Sequence, residues 1–220
     1  MKLTKYGYDV IIISLLISTA LILSGLWFNY TILKLLLITL GVLFAAFTLY
    51  FFRDPERTVP QVAIDDENIV ISPADGKVVI IQEIDDKEYH NGKAIQICIF
   101  LSPLNVHVNR FPISGKVDYF KYVEGKFIVA FDDKASDVNE RTHLGISNNK
   151  IKVFFKQIAG AVARRIVCPV NVGDFAKVGD KFGMIKFGSR MDIVVPVGTV
   201  INVKVNDLVI GGETILCNGV

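Results

Sequence analysis

Two stretches of this chain carry no charge at all. Val10 to Trp27 and Leu35 to Phe52 are 18-residue runs of almost unbroken apolar character, each long enough for a membrane-spanning helix. They predict a helical hairpin that turns over Phe28 to Lys34. A signal peptide would fit the first run alone, which follows Met1-Lys2-Leu3-Thr4-Lys5. No small-residue cleavage site clearly follows Trp27, however, and the second run begins at once. The competing reading is a pair of buried helices in a globular core.

Beyond Phe52 the pattern changes its period. Arg53-Asp54-Pro55-Glu56-Arg57 is a charged, proline-bearing exit, and from Ile69 onward short β-branched runs alternate with Gly, Asp and Asn. Lys77 to Ile81, Ala94 to Phe100, Ile151 to Phe155 and Asp192 to Val195 read as closely spaced strands with turn signals between them. No helical period of useful length follows Phe52, apart from short pieces near Ala159 to Arg164. The predicted fold is mainly β: a compact sandwich or barrel over 53–220, preceded by a two-helix membrane anchor over 1–52.

Charge orients the anchor. Lys2 and Lys5 precede the first run, Arg53 and Arg57 follow the second, and the turn holds only Lys34, near its end. The positive-inside rule then puts the N-terminus and everything after Phe52 in the cytoplasm, at the cell membrane. Trp27, Phe28 and Tyr30 suit the far interface. A net charge of +2, with no basic stripe carrying interleaved aromatics, gives no argument for nucleic acid. Cys98, Cys168 and Cys217 are odd in number, lack C-x-x-C spacing and sit among apolar residues. They read as buried thiols in a reducing compartment rather than a zinc or redox site.

Three separated segments carry the candidate chemistry: Ser72-Pro73-Ala74-Asp75-Gly76-Lys77, Asn105-Val106-His107-Val108-Asn109-Arg110 and Phe187-Gly188-Ser189-Arg190. Taken singly, each has an ordinary explanation. Asp75 opens an Asp-Gly turn, His107 sits in an alternating run like a strand histidine, and Ser189 is a loop serine. Together and in this order they resemble the short form of the phosphatidylserine decarboxylase family, over a span from about Arg53 to the C-terminus. A second pattern, in Val172 to Asp180 and Val203 to Leu216, resembles the flattened β-sandwich of lipoyl and biotinyl carriers. Such carriers offer a lysine in a hairpin; the matching Gly188 to Asp192 segment offers none and leaves Ser189 as the notable hairpin residue.

The resemblance implies a self-cleaving precursor. The chain would cut itself between Gly188 and Ser189, and Ser189 would become a covalent pyruvoyl group, with no pyridoxal phosphate and no metal. Glycine leaves the scissile carbonyl open, serine supplies the hydroxyl nucleophile, His107 is the natural base, and Asp75 would hold its tautomer and stabilise the imidazolium. The products would be a β chain ending at 188 and an α chain from 189 to 220. The pyruvoyl group would then form a Schiff base with the headgroup of phosphatidylserine and act as the electron sink for its decarboxylation to phosphatidylethanolamine, with His107 again the donor for reprotonation.

Arg110 and Arg190 are candidates for contact with the phosphate or carboxylate, with solvated surface arginines as the equal alternative. His90 reads as an exposed turn residue, and His143 is left out of the site. The longer members carry a second histidine three residues after the first, where this chain has Arg110, which cannot serve as a base. They also show Leu-Gly-Ser-Thr in place of Phe-Gly-Ser-Arg. The implied partners are the phospholipid, the membrane and the sister chain, with a homodimer left open. The alternative functions are an archaetidylserine decarboxylase acting on ether lipids and a noncatalytic lipoyl-like carrier or adaptor.

Overall fold

The computed structural model describes residues 2–125, 138–160, 165–186 and 189–219. It divides into two compact units, Met1–Pro55 and Glu56–Val220.

In the first unit, helix α1 (Tyr8–Trp27) and helix α2 (Thr31–Phe51) form a hairpin, each long and apolar enough to cross a membrane. The turn is shorter than the charge-free runs predict. Helix α2 starts at Thr31, so Lys34 lies in its first turn, donating its backbone N–H to the Tyr30 carbonyl. A lysine is tolerated there because its long stem carries the ammonium outward from the helix end. Small residues bring the helices together. A Cβ added to Gly41 would lie 2.8 Å from the Ser18 carbonyl oxygen and 2.7 Å from Ile22 Cγ1, and one at Gly25 would lie 2.9 Å from Ile38 Cγ1. Close approach through small residues is how apolar helices associate when hydrophobicity alone does not drive them. Gly41→Leu therefore forces the backbones apart, and we expect it to destabilise the hairpin by about 1–3 kcal/mol, read from unfolding in a detergent titration. The two ends of the hairpin are tied: Leu3 bridges Arg53, and the Thr4 N–H donates to the Phe52 carbonyl.

The second unit is mainly β. Its strands are β1 (Ile69–Ile71), β2 (Gly76–Asp86), β3 (Gly92–Leu101), β4 (Val108–Arg110), β5 (Gly115–Val123), β6 (Arg141–Ser147), β7 (Lys152–Ala159), β8 (Arg165–Val167), β9 (Phe175–Ala176), β10 (Lys181–Lys186), β11 (Ser189–Pro196), β12 (Val200–Ile201), β13 (Leu208–Val209) and β14 (Ile215–Asn218). Eight form one antiparallel sheet in the order β13-β2-β3-β11-β7-β6-β5-β9, and two three-stranded sheets, β4-β10-β8 and β1-β14-β12, complete the unit. All four strands expected from the β-branched runs are present, in β2, β3, β7 and β11. A five-residue helix, α3 (Gln61–Asp65), is an addition too short to show a period in sequence. Of the short helical pieces expected near Ala159 to Arg164, Ala159 instead closes β7, and residues 161–164 lie outside the described residues.

Strand β11 is central to the large sheet, paired with β3 on one side and β7 on the other, and its residues from Ser189 to Val195 are all buried. Successive residues alternate between faces. Met191, Ile193 and Val195 join the main core with Ile97, Ile99, Phe155 and Phe182, while Val194 packs on the other face with Ala94 and Phe154. This corrects the expectation that Ser189 stands in a hairpin. Strands β10 and β11 pair in different sheets, and Ser189 opens a central strand. A tip residue would be exposed; a central strand is buried on both faces.

Candidate active site

One end of the large sheet gathers the three sequence candidates. Ser189 pairs with Leu101, the last residue of β3, and with Ala159, the last of β7. On the other side of β3, Lys77 pairs with Phe100, which brings Gly76 and the preceding Asp75 to the same end. Two interstrand spacings separate β2 from β11, or about 10 Å. Gly76 is required at this crossing, since a Cβ there would fall on the Phe100 carbonyl. After Leu101 the chain turns tightly, with the Asn105 N–H donating to the Ser102 carbonyl at 2.8 Å and the Ser102 N–H to Asn105 Oδ1 at 2.9 Å. That turn delivers His107, whose carbonyl accepts from the Ile185 N–H at 3.4 Å on β10, four residues before Ser189.

Ser189 is fully buried, and among the described residues its Oγ has no hydrogen-bond partner. A buried hydroxyl ordinarily finds one. Gly188, the expected scissile residue, and Phe187 lie outside the described residues.

His107 is also fully buried, with Nδ1 3.0 Å from the Asn105 carbonyl oxygen. A carbonyl only accepts, so Nδ1 carries the proton and the lone pair of the neutral ring is on Nε2. The backbone of its own turn thus holds the Nδ1–H tautomer. The Asp75 carboxylate engages the Arg57 guanidinium at 2.7 Å and accepts from the Gly211 N–H at 2.8 Å. Arg57 was not singled out from the sequence, where it read as part of a charged exit.

The two arginines are not on the surface. Arg110 is 8% exposed and donates to the Gly179 carbonyl at 2.9 Å. Arg190 is 2% exposed, with Nε 2.6 Å from Asp192 Oδ1 and a terminal nitrogen 3.1 Å from Oδ2. Gln96 donates to the same carboxylate at 2.9 Å. Alternation puts Arg190 and Asp192 on the face of β11 opposite Ser189. Asp192→Leu removes the carboxylate from a buried guanidinium, and we expect it to cost about 3–5 kcal/mol, measured as a lowered unfolding midpoint.

The remaining histidines lie elsewhere. His143 pairs with Lys156, which pairs with Asp192, so it shares the face opposite Ser189. It is held between Glu88 at 2.8 Å and Arg141 at 3.1 Å, and burial pulls its pKa down. His90 is not the exposed turn residue expected. Its side chain is 7% exposed, bonded to Asp86 at 2.8 Å and near the Lys152 carbonyl at 3.3 Å, because the β2–β3 turn folds back onto β7. The three cysteines are free, and burial pushes the Cys168 and Cys217 thiols up to about 12.

The Asn139-Glu140-Arg141 triplet braces the site from β7. Asn139 Nδ2 donates to the Ala159 carbonyl at 2.6 Å, and the Ala159 N–H donates to the Glu140 carbonyl at 2.9 Å. Ala159 is the pairing partner of Ser189.

The family model for phosphatidylserine decarboxylase matches residues 44–217, which spans every residue of this site. The chain belongs to the phosphatidylserine decarboxylase family. Curated relatives named phosphatidylserine decarboxylase proenzyme include those of Chlorobium luteolum, 39% identical over 97% of this chain and 98% of the relative, and Pelodictyon phaeoclathratiforme, 42% identical over the same shares. The relative from Salinibacter ruber is 47% identical over 88% of this chain and 85% of its own length. Membership in this family sets aside the carrier or adaptor alternative.

Proposed function

We propose that this chain is the precursor of a pyruvoyl-dependent phosphatidylserine decarboxylase, converted to its active form by cleavage between Gly188 and Ser189. The observation that carries the reading is the buried Ser189 Oγ, without a hydrogen-bond partner among the described residues, at the end of the sheet that also receives His107. The word proenzyme in the relatives' names supports it.

Processing begins when Nε2 of His107 takes the Ser189 Oγ proton and Oγ attacks the carbonyl carbon of Gly188. The carbon–nitrogen bond breaks, the proton goes to the departing nitrogen, and residue 188 is left as an ester of Ser189. Loss of the Cα proton of residue 189 with breakage of its Cβ–Oγ bond releases residue 188 as a carboxylate and leaves dehydroalanine. Tautomerisation and hydrolysis by water expel ammonia and leave the pyruvoyl group. Asp75 is the candidate to stabilise the imidazolium formed at His107, its carboxylate held in place by Arg57 and the Gly211 N–H. A hydroxyl buried without a partner fits a side chain that is consumed rather than one that holds structure.

The pyruvoyl group supplies a carbonyl that condenses with an amine and absorbs the electrons released by loss of carbon dioxide. The chain's own residues do the rest: burial excludes water, and His107 returns a proton through Nε2. Arg110 remains a candidate for the headgroup's anionic groups, exchanging its bond to the Gly179 carbonyl, whereas Arg190 faces the opposite side of β11 in its pair with Asp192. Residues 1–52 serve as the membrane anchor and 53–220 as the cytoplasmic catalytic domain, a reading supported by the two apolar helices and the flanking Lys2, Lys5, Arg53 and Arg57.

The test is turnover of phosphatidylserine in mixed vesicles by the full chain, followed as carbon dioxide release and phosphatidylethanolamine formation, beside the same headgroup on an ether lipid. Turnover of the ester lipid is expected. Turnover of the ether lipid alone would move the assignment to archaetidylserine, and no turnover of either would remove it.

A further inference from the structure

Three buried side chains on different strands form a line of hydrogen bonds. Thr142 Oγ1 on β6 donates to Gln157 Oε1 on β7 at 2.7 Å, and Gln157 Nε2 donates to Asn109 Oδ1 on β4 at 2.8 Å. Gln157 and Asn109 are fully buried and Thr142 nearly so. The line fixes the Asn109 amide with its oxygen toward Gln157, and its other end is unsatisfied. Asn109 Nδ2 is buried and has no hydrogen-bond partner among the described residues. A buried donor without an acceptor costs free energy that a leucine of similar size would not.

The register locates this donor. Gln157 pairs with Met191 on the face of β11 that carries Ser189, one two-residue repeat away, or about 7 Å along the strand. Asn109 follows His107 by two residues and pairs with Gly183 on β10. A Cβ at Gly183 would lie 3.2 Å from Gln157 Nε2, so the glycine leaves room for the amide line. One face of the sheet near its end thus carries two orphaned polar atoms, Ser189 Oγ and Asn109 Nδ2. The one is a nucleophile, and the other is a neutral donor with no acceptor among the described residues.

We propose that Asn109 Nδ2 is the oxyanion donor of the processing reaction, an inference that rests on the self-cleavage reading above. When Ser189 Oγ bonds to the preceding carbonyl carbon, the carbonyl π pair moves to its oxygen and the hydroxyl proton moves to His107. Nδ2 donates to that oxygen while it is negative. When the carbonyl re-forms and the carbon–nitrogen bond breaks, the proton passes to the nitrogen. A neutral amide suits this task because it stabilises the charge without competing for the proton. It also gives the short form a donor in the segment where the longer members carry a second histidine.

The experiment follows the first-order rate of cleavage of newly synthesised full-length chain carrying Asn109→Leu or Asn109→Asp. The same substitutions in a Ser189→Ala background give unfolding midpoints that report on folding alone. Both variants are expected to process about 10²–10³ times more slowly. The midpoint of the uncleavable Asn109→Leu chain should fall modestly, because Gln157 Nε2 loses its acceptor, while Asn109→Asp keeps that acceptor. Neutral hydroxylamine should not restore fragments, because ester formation is the slow step. Wild-type cleavage rates in either variant would overturn the proposal. So would fragments released by hydroxylamine, which put the slow step after the ester. If Asn109→Leu fails to fold, the near-isosteric Asn109→Asp decides, since an ionised carboxylate accepts and cannot donate. A wild-type chain that never cleaves would instead remove the processing reading itself.

Discussion

A Ser189→Ala chain stays whole and releases no carbon dioxide from phosphatidylserine. Among the described residues, the strand partners of Ser189 offer no substitute for its hydroxyl. Its strand neighbours Leu101 and Ala159 have no nucleophile, and the next residue, Arg190, faces the opposite side of the sheet in an ion pair with Asp192. Cys98 lies on that opposite face, with burial pushing its thiol well above the ordinary range. The substitution removes one oxygen that makes no hydrogen bond among the described residues, so the precursor should fold at least as well as the wild type. Loss of cleavage with an unchanged unfolding midpoint is the expected pair of results, measured by denaturing electrophoresis and thermal unfolding. A cleaved Ser189→Ala chain would mean that the break lies elsewhere.

His107→Asn is expected to slow processing by about 10²–10⁴-fold, the range for removal of a general base. Asparagine is chosen because its amide can still donate to the Asn105 carbonyl, as Nδ1 does, while offering no basic nitrogen. The chain has three histidines. His143 shares the face of Asp192, and His90 sits at the Asp86–Gly92 end of the β2–β3 pair, roughly 30 Å along β2 from Gly76. Neither can take over. Whatever variant enzyme does mature should also turn over slowly, since the proposed mechanism returns the proton after decarboxylation through the same Nε2. A variant that matures slowly but then turns over at the wild-type rate would divide the two tasks and require another acid for the second.

The helical hairpin and the strands in β2, β3, β7 and β11 were legible because each is an uninterrupted run with a single period, apolar throughout or β-branched between turns. Asp75, His107 and Ser189 stood out as a candidate set because three short segments were in family order, and the strand register brings those segments to one end of the sheet. What the sequence could not carry was partnership over distance. Asp75 meets Arg57, 18 residues before it, and Gly211, 136 residues after it. Asn109 is oriented by Gln157, 48 residues away, and Gln157 in turn by Thr142. His90 read as exposed because its turn is polar, yet its ring is bonded to Asp86 and lies near the Lys152 carbonyl, 62 residues on. Ser189 read as a hairpin residue because Gly-Ser is a turn signal. Only the pairing of β11 between β3 and β7 reveals that the residue opens a central strand. The one early sign of Asn109 was its place beside His107 in the second segment.

The most direct test of the account is the denatured mass of the purified wild-type chain, taken before and after treatment with phenylhydrazine. Two fragments divided after Gly188 are predicted, the smaller covering the 32 residues from position 189 to Val220 and gaining one hydrazone at its first residue. A single unmodified species at the full 24.4 kDa would contradict self-cleavage and the pyruvoyl group together.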